Sequence, residues 1–423
     1  MFRYVDKPLL LLCLSAMPAV ALETSLGIRM ETIQSDNILR TRDDAVDEIM
    51  YQPGATILVE HQGNSVIASA NYDYERRIRT KDYYDDSSAL IGRSELTWQA
   101  LPGRMDFTVS NTRTESTVDR RLGPVQSNLQ TTDSTRAGST LRFRVRQNDE
   151  LQLQYFHTLT RAQVGATDSN RDTLSASYVL NTGPKDRFTF NVTDNRVDFQ
   201  ESGAPDLNAV TSSVRWNRFG PATELNVQGG WTTMNRSGRD DISEPVWDTG
   251  LLWRLTPQMS LRFGVVREVR DRPFILEMGL LPFGSNSQID SDLNEVFVNN
   301  RFEAEWRATF LNNDITLSWV FDRQDYFDIL EDQERRTTTL GLRRQLTPKL
   351  LVQLEAFHLY DEQLDTGLAK EERWGGSMDL RYTWGPRLSV WLSGSHNTVN
   401  APISLENFDE NFYSLRVNYQ ILE

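Results

Sequence analysis

The chain has 423 residues, 45 of them basic and 59 acidic, with a net charge of −14 and a mean hydropathy of −0.50. So acidic a balance argues against nucleic acid as a partner, because a phosphate backbone asks for a basic footprint. No segment after the first residues carries the roughly 18 consecutive apolar residues of a helical membrane span, but low hydropathy leaves a β-barrel open, since only every second strand residue must face lipid.

Residues 1–21 read as a secretory signal peptide. Arg3 and Lys7 make a weakly basic start, Leu9 to Met17 an apolar run too short to span, and Ala19-Val20-Ala21 a cleavage site. Bulky Leu12 before Cys13 argues against a lipoprotein. Cleavage removes Cys13, the only cysteine, so no disulfide, thiolate chemistry or haem attachment site is expected. It leaves 43 basic and 58 acidic residues, a net charge of about −15, in a single domain over 22–423.

After a first strand near Ser25 to Ile33, tight-turn signals recur along the chain. They stand at Gln62-Gly63-Asn64, Leu101-Pro102-Gly103, Gln147-Asn148-Asp149, Thr182-Gly183-Pro184 and Phe219-Gly220-Pro221. Thr256-Pro257-Gln258, Asn312-Asn313-Asp314, Thr347-Pro348-Lys349 and Gly385-Pro386-Arg387 continue the series. The intervals, about 35 to 56 residues, match two membrane-crossing strands plus one long loop, whereas a soluble sandwich turns every 8 to 12 residues. Between turns, apolar and polar residues alternate. Phe302, Ala304, Trp306, Ala308 and Phe310 interleave with Arg301, Glu303, Glu305, Arg307 and Thr309, a period of two that no amphipathic helix shows. Nine hairpins, the first strand and a last one near Asn411 to Leu422 predict an all-β transmembrane antiparallel barrel of 18 to 20 strands. Its short turns and both termini would face the periplasm. The longer connections, Ser35 to Gln52, Glu115 to Ser134, Arg236 to Pro245 and Arg270 to Val296, would face outward. Trp98, Trp216, Trp253 and Trp384 each precede a tight turn by one to four residues, the place of a periplasmic aromatic girdle, although core tryptophans of a soluble β-protein would also fit.

Ser35-Asp36-Asn37-Ile38, Gln52-Pro53-Gly54-Ala55, Ala70-Asn71-Tyr72-Asp73-Tyr74 and the Leu-Thr-Pro turns at Leu255 to Pro257 and Leu346 to Pro348 resemble the exopolysaccharide-operon outer-membrane barrels, the EpsL-type or PEP-CTERM-system-associated proteins. The strand Tyr413 to Ile421 similarly resembles the C-terminal signal of outer-membrane barrels, although the chain ends on Glu423 rather than an aromatic residue. The resemblance implies a polysaccharide-export or porin-like role and supplies no catalytic residues.

Five lysines leave forty arginines among the 45 basic residues. On the polar face of strands stand Arg93, Arg142, Arg144, Arg146, Arg187, Arg215, Arg254, Arg262, Arg301, Arg307, Arg343 and Arg381. Their planar donor forks suit carboxylates, phosphates and sugar hydroxyls, so they are lumen-lining candidates; the alternative is cross-strand pairing with Glu. Acidic residues concentrate in the predicted exterior loops, at Asp43, Asp44, Asp47 and Glu48, Asp82, Asp85 and Asp86, Glu331, Asp332 and Glu334, and Glu406, Asp409 and Glu410. They read as a solvated face or as carboxylates joining the divalent-cation layer of lipopolysaccharide, without the spacing of a dedicated calcium loop. The longest connection has an apolar middle, Phe274, Ile275, Leu276, Met278, Leu280, Leu281 and Phe283, a candidate constriction that could instead cap the mouth, pack on other loops or extend the flanking strands.

His61, His157, His358 and His396 are scattered and fall in no catalytic motif, so neither enzyme activity nor a metal or other cofactor is implied. The expectation is an outer-membrane, porin-like channel associated with exopolysaccharide export. Its partners would be outer-membrane lipid, lipopolysaccharide, an anionic polysaccharide and periplasmic export proteins. Two alternatives stay open, a sheath for a periplasmic electron-transfer cytochrome and a non-conducting surface scaffold, and the oligomeric state is left open too.

Overall fold

The computed structural model describes residues 22–42, 45–81, 83–117, 129–163, 168–200, 206–271, 296–328, 332–364, 370–400 and 407–422. The signal-peptide reading of residues 1–21 therefore lies outside the described residues, as do Asp43, Asp44, Asp82, Glu331, Glu406 and the gate candidates Phe274 to Phe283.

Twenty strands carry the chain. They are β1 (Leu22–Ser35), β2 (Glu48–Gln62), β3 (Val66–Arg79), β4 (Ser87–Leu101), β5 (Met105–Thr117), β6 (Leu129–Arg146) and β7 (Asp149–Ala162). Then come β8 (Ser169–Asn181), β9 (Asp186–Phe199), β10 (Leu207–Phe219), β11 (Thr223–Arg236), β12 (Ile242–Thr256), β13 (Met259–Asp271) and β14 (Val296–Phe310). β15 (Asn313–Tyr326), β16 (Gln333–Thr347), β17 (Leu350–Gln363), β18 (Lys370–Thr383), β19 (Leu388–Asn400) and β20 (Phe408–Leu422) complete the set. Each pairs antiparallel with its chain neighbours, and β1 pairs with β20 from Leu26↔Leu422 to Ser35↔Phe412, so the sheet closes and has no edge.

The nine tight turns join even strands to odd ones at one end of the barrel, the turn end, at the nine positions the sequence marks. The longer connections gather at the opposite, loop end. Strands reach further into these connections than periodicity predicts: β2 begins at Glu48 rather than after Gln52, β5 runs to Thr117, and β6 starts at Leu129. There the outer face is no longer apolar, so alternation fades while the backbone ladder continues.

Contacts that skip a strand identify the concave face. Arg29 of β1 reaches across β2 to Asp73 and Glu75 of β3, and Arg215 of β10 reaches across β11 to Asp248 of β12, 3.3 Å away. Following partners around the ring, the inner set includes Glu31 of β1 and returns to it through Arg416 of β20, whose guanidinium is 2.8 Å from Glu31, so face parity closes after twenty strands. The outer set carries the exposed apolar residues, such as Ile28, Ile57, Leu174, Val192, Leu340 and Leu392. An apolar outer wall around a charged inner one suits lipid outside and water inside. Twenty strands about 4.8 Å apart and tilted about 40° give a backbone cylinder roughly 40 Å across.

Two ladders are incomplete. The β4–β5 pairing stops at Gly92↔Arg113, although β4 continues beside β3 to Ser87 and β5 beside β6 to Thr117. The β12–β13 pairing stops at Trp247↔Arg267, although β12 continues beside β11 to Ile242 and β13 continues beside β14 to Asp271↔Val296, and this parting alone of the two borders a described cavity. Above Arg267 the β13–β14 end therefore parts from β12. It leans inward, because Val269 packs on an inner apolar patch of Val197, Phe199, Leu207, Ala209, Met234 and Ile242, which also holds Val296. Val296, Phe297, Val298 and Asn299 are all under 5% exposed, so here both faces of a strand are covered.

Candidate functional site

The interior has two zones. Toward the turn end its side chains stay accessible, and eleven of the twelve candidate arginines lie on the inner face by register. Arg142 pairs with Asp106, Arg215 with Asp248 at 3.3 Å and with Gln228 at 2.7 Å, and Arg301 with Glu303 at 3.2 Å. Arg307 pairs with Glu305 at 3.3 Å, Arg254 pairs with Glu224, Arg187 donates to Asn181, and Arg381 lies over the Trp391 ring. Arg93, Arg144, Arg262 and Arg343 are exposed and make no ion pair or hydrogen bond with a described residue. Arg146 differs: it follows a register shift and stands opposite Asp149, which accepts a hydrogen bond from the outer-face Tyr178. Arginine and carboxylate thus interleave along the wall. They line water with a mixed-charge surface that still offers uncommitted guanidinium donors.

Toward the loop end the interior fills. Glu31, Ser35, Glu75, Gln130, Thr132, Thr160, Ser169 and Asn299 are all buried. Two ion pairs reach far around the ring. Arg236 at the end of β11 meets Asp328, just past β15, and Arg171 of β8 meets Asp271 of β13 at 2.5 Å with both side chains under 8% exposed. Below the Arg171–Asp271 pair lies a cavity of about 530 Å³ running from β8 to β14. Its upper wall is Val197, Leu207, Ala209 and Met234, its middle Val246 and Val266, and its floor Arg215, Gln228, Asp248, Arg301 and Glu303. Trp247 and Arg267, which belong to the outer face by register, line the same cavity. Arg267 fastens the point where the ladder parts. It lies 2.7 Å from Glu244, donates to the Pro245 carbonyl at 3.2 Å and to Asn300 at 2.9 Å, and covers the Trp247 ring. The sequence singled out Arg215 and Arg301 but missed Arg171, Asp271 and Arg267; local spacing cannot reveal that Arg171 and Asp271 meet from five strands apart, nor that the strands beside Arg267 part.

Outside, Trp98, Trp216 and Trp253 stand on the outer face near the turn end and Trp384 in the turn after β18. Trp98 stacks on Phe107 at 5.6 Å between ring centroids, and Trp216 on Phe188 at 6.4 Å. A second belt, absent from the sequence reading, circles the loop-end side with exposed Tyr51, Tyr74, Tyr155, Trp231, Trp247, Trp374 and Tyr413. Its signal was available, since Trp231, Trp247 and Trp374 lie about eight or nine residues along a strand from the tight turn. Trp374 and Tyr382 on β18 are eight residues apart, about 26 Å along the strand and about 20 Å along the axis at a 40° tilt, near the height of a lipid-facing band. Beyond the second belt the outer face turns charged, with Arg323 beside Asp325 and Arg336 beside Glu334.

Three histidines are on the outer face near that belt: His157 is 2.9 Å from Asp172, His358 is 2.8 Å from Glu372, and His396 is 2.9 Å from Asn411. His61 is buried near the β2–β3 turn, so no two histidines meet. Among the described residues no three His, Cys, Asp or Glu side chains gather as a metal site.

No protein-family model matches the sequence, and no curated protein does. Solved structures are similar in shape. The FrpB iron transporter of Neisseria meningitidis, F5-1 variant, has a TM-score of 0.54 at 11% identity over 94% of this chain and 83% of that one. The F3-3 variant of FrpB gives 0.52 at 10% identity over 94% and 81%. The outer membrane protein OpdK of Pseudomonas aeruginosa aligns over 95% of this chain and 98% of that one at 11% identity, with a TM-score of 0.42. The fold is the closed antiparallel β-barrel of outer-membrane proteins.

Proposed function

We propose that the chain is a porin-like channel of a Gram-negative outer membrane, turn end toward the periplasm, that passes a hydrophilic solute and serves exopolysaccharide export. The observation that carries this reading is the water-accessible inner wall at the turn end, where Arg93, Arg144, Arg262 and Arg343 present exposed guanidiniums with no described ion partner. A barrel of twenty strands leaves an aqueous lumen unless its own residues fill it, and here the filling is confined to the loop end. The motifs resembling exopolysaccharide-operon barrels, not the geometry, supply the polysaccharide. The test has two arms. Purified protein should give ohmic single-channel steps in planar bilayers, and deletion of the gene should reduce polysaccharide secretion. Steps with unchanged secretion would leave a porin without the export role.

The closed-in loop end favours a second reading, a non-conducting surface scaffold. Absence of any conductance in the same bilayer recordings would select it.

A further inference from the structure

The geometry points to a lateral portal at the β12–β13 parting, through which an amphipathic organic anion passes between the outer leaflet and the lumenal cavity. This rests on the channel reading, whose lumen it would feed, and deepens it by naming a class of cargo.

Backbone pairing makes a barrel wall impermeable, and here it stops. From Ile242 to Val246 on β12 and from Glu268 to Asp271 on β13 no partners face one another across the seam. The unpaired stretch lies on the loop side of Trp247, above the hydrocarbon, where water and head groups can meet backbone groups that lipid tails could not satisfy. The parting begins at Trp247, a member of the loop-end aromatic belt, so it opens at the depth where amphipathic molecules place their polar heads. The cavity runs through it, since inner residues such as Val266 and Arg301 and outer-face residues Trp247 and Arg267 line one continuous space.

The lining selects the cargo. Val197, Leu207, Ala209 and Met234 form an aliphatic wall that leaves sugar hydroxyls without partners and suits a hydrocarbon body. The floor offers more donors than acceptors. Arg301 commits one guanidinium nitrogen, at 3.2 Å, to Glu303, and both side chains are about 40% exposed. A guanidinium has five N–H donors, so a ligand carboxylate can bind beside Glu303 or displace it, whereas a cationic ligand must compete with arginine for every carboxylate. The volume, about 530 Å³, is that of a small-molecule site.

The experiment uses the protein in nanodiscs and three probes read by calorimetry: undecanoate, its neutral amide, and gluconate, which has the charge without the apolar body. Undecanoate should bind at least about tenfold more tightly than either, and Arg301→Gln should remove about tenfold of that affinity. Val246→Cys with Glu268→Cys places thiols at the next register step above Trp247↔Arg267, and oxidising the pair should zip the parting. Undecanoate binding should then be lost and return on reduction, while potassium chloride conductance is retained or increased, since zipping draws β13 off the lumen. If the pair resists oxidation, Ala209→Trp, which fills the cavity from the inner wall, should abolish binding instead. Equal affinity for undecanoate and its amide, or binding indifferent to both the lock and Ala209→Trp, overturns the portal. Conductance without undecanoate binding overturns the portal and leaves the channel; binding without conductance does the reverse.

Discussion

Replacing Arg171 with glutamine should release the inward-leaning end of β13. β8 and β13 are five strands apart, roughly a quarter turn of a cylinder about 40 Å across, or a chord of about 28 Å. An arginine and an aspartate touching at 2.5 Å bridge only about 13 Å between backbones, so the β13 end is drawn about 15 Å along that chord toward β8 from its place on a round cylinder. The substitution leaves the Asp271 carboxylate buried without its cation, which costs about 3–5 kcal/mol. Opposing release is the packing of Val269 on the apolar patch, about 1.5–3 kcal/mol. The difference, on the order of 1–2 kcal/mol, favours re-zipping of β13 onto β12 by about tenfold. Single-channel recordings should show larger or longer-lived openings for Arg171→Gln, and the swap Arg171→Asp with Asp271→Arg should restore the wild-type trace. Identical amplitude and open fraction in wild type and Arg171→Gln, or a swap that behaves like the single variant, would refute the idea that this pair holds the loop end closed.

Neutralising Arg262 and Arg343, exposed and unpaired on the inner wall, should move the reversal potential of a salt gradient toward cation selectivity, while Arg307→Gln, which frees Glu305 at the same time, should move it further. Gly92→Ala should destabilise the barrel by about 1–3 kcal/mol in urea unfolding, because Gly92 has φ 151° and an added Cβ would meet the Asn71 carbonyl oxygen at 2.1 Å. The contact between the β1–β2 and β3–β4 loops should be insensitive to pH through the neutral range. The Lys81 ammonium, 2.8 Å from Asp47, holds that carboxyl below its ordinary 3.8 and is itself raised above 10.5. The contact is therefore fully present above the ordinary carboxylate value and is lost only as pH falls through the lower folded value, or as it rises through the raised lysine value. The protection factor of amides beside Lys81, the observed exchange rate corrected for the intrinsic pH-dependent rate, should stay constant from about pH 5 to 9 and fall only below the ordinary carboxylate value; a fall already at pH 5 would contradict the pairing.

The strand count, the sides of the turns and the face on which Arg262 or Trp98 would lie were all legible in the sequence. Period-two patterning states which face a residue takes, and a tight turn states where a strand ends. What the pattern cannot carry is distance around the ring. Arg171 and Asp271 read as two ordinary polar residues a hundred positions apart, and nothing local to Val246 or Glu268 signals that their strands fail to pair. The apolar patch was hidden for a related reason. Val197, Leu207 and Met234 sit on the inner face, where alternation predicts polar residues, and they are apolar because a neighbouring hairpin, not water, covers them. The second aromatic belt was overlooked only because no turn lies next to it.

The seam between β1 and β20 sets the order in which this molecule can be built. Ser35 donates to Glu410 at 2.7 Å, Arg416 binds Glu31, and backbone partners run from Leu26 to Ser35, so β20 covers the edge of β1 that β2 leaves open. Residues nearly four hundred positions apart must meet before either edge is protected, a separation at which loop closure is slow and unpaired strands are prone to aggregate. A chain stopped before Phe408 should hold no partially finished pore; it would present two open edges and depend on a chaperone to stay out of the aggregate.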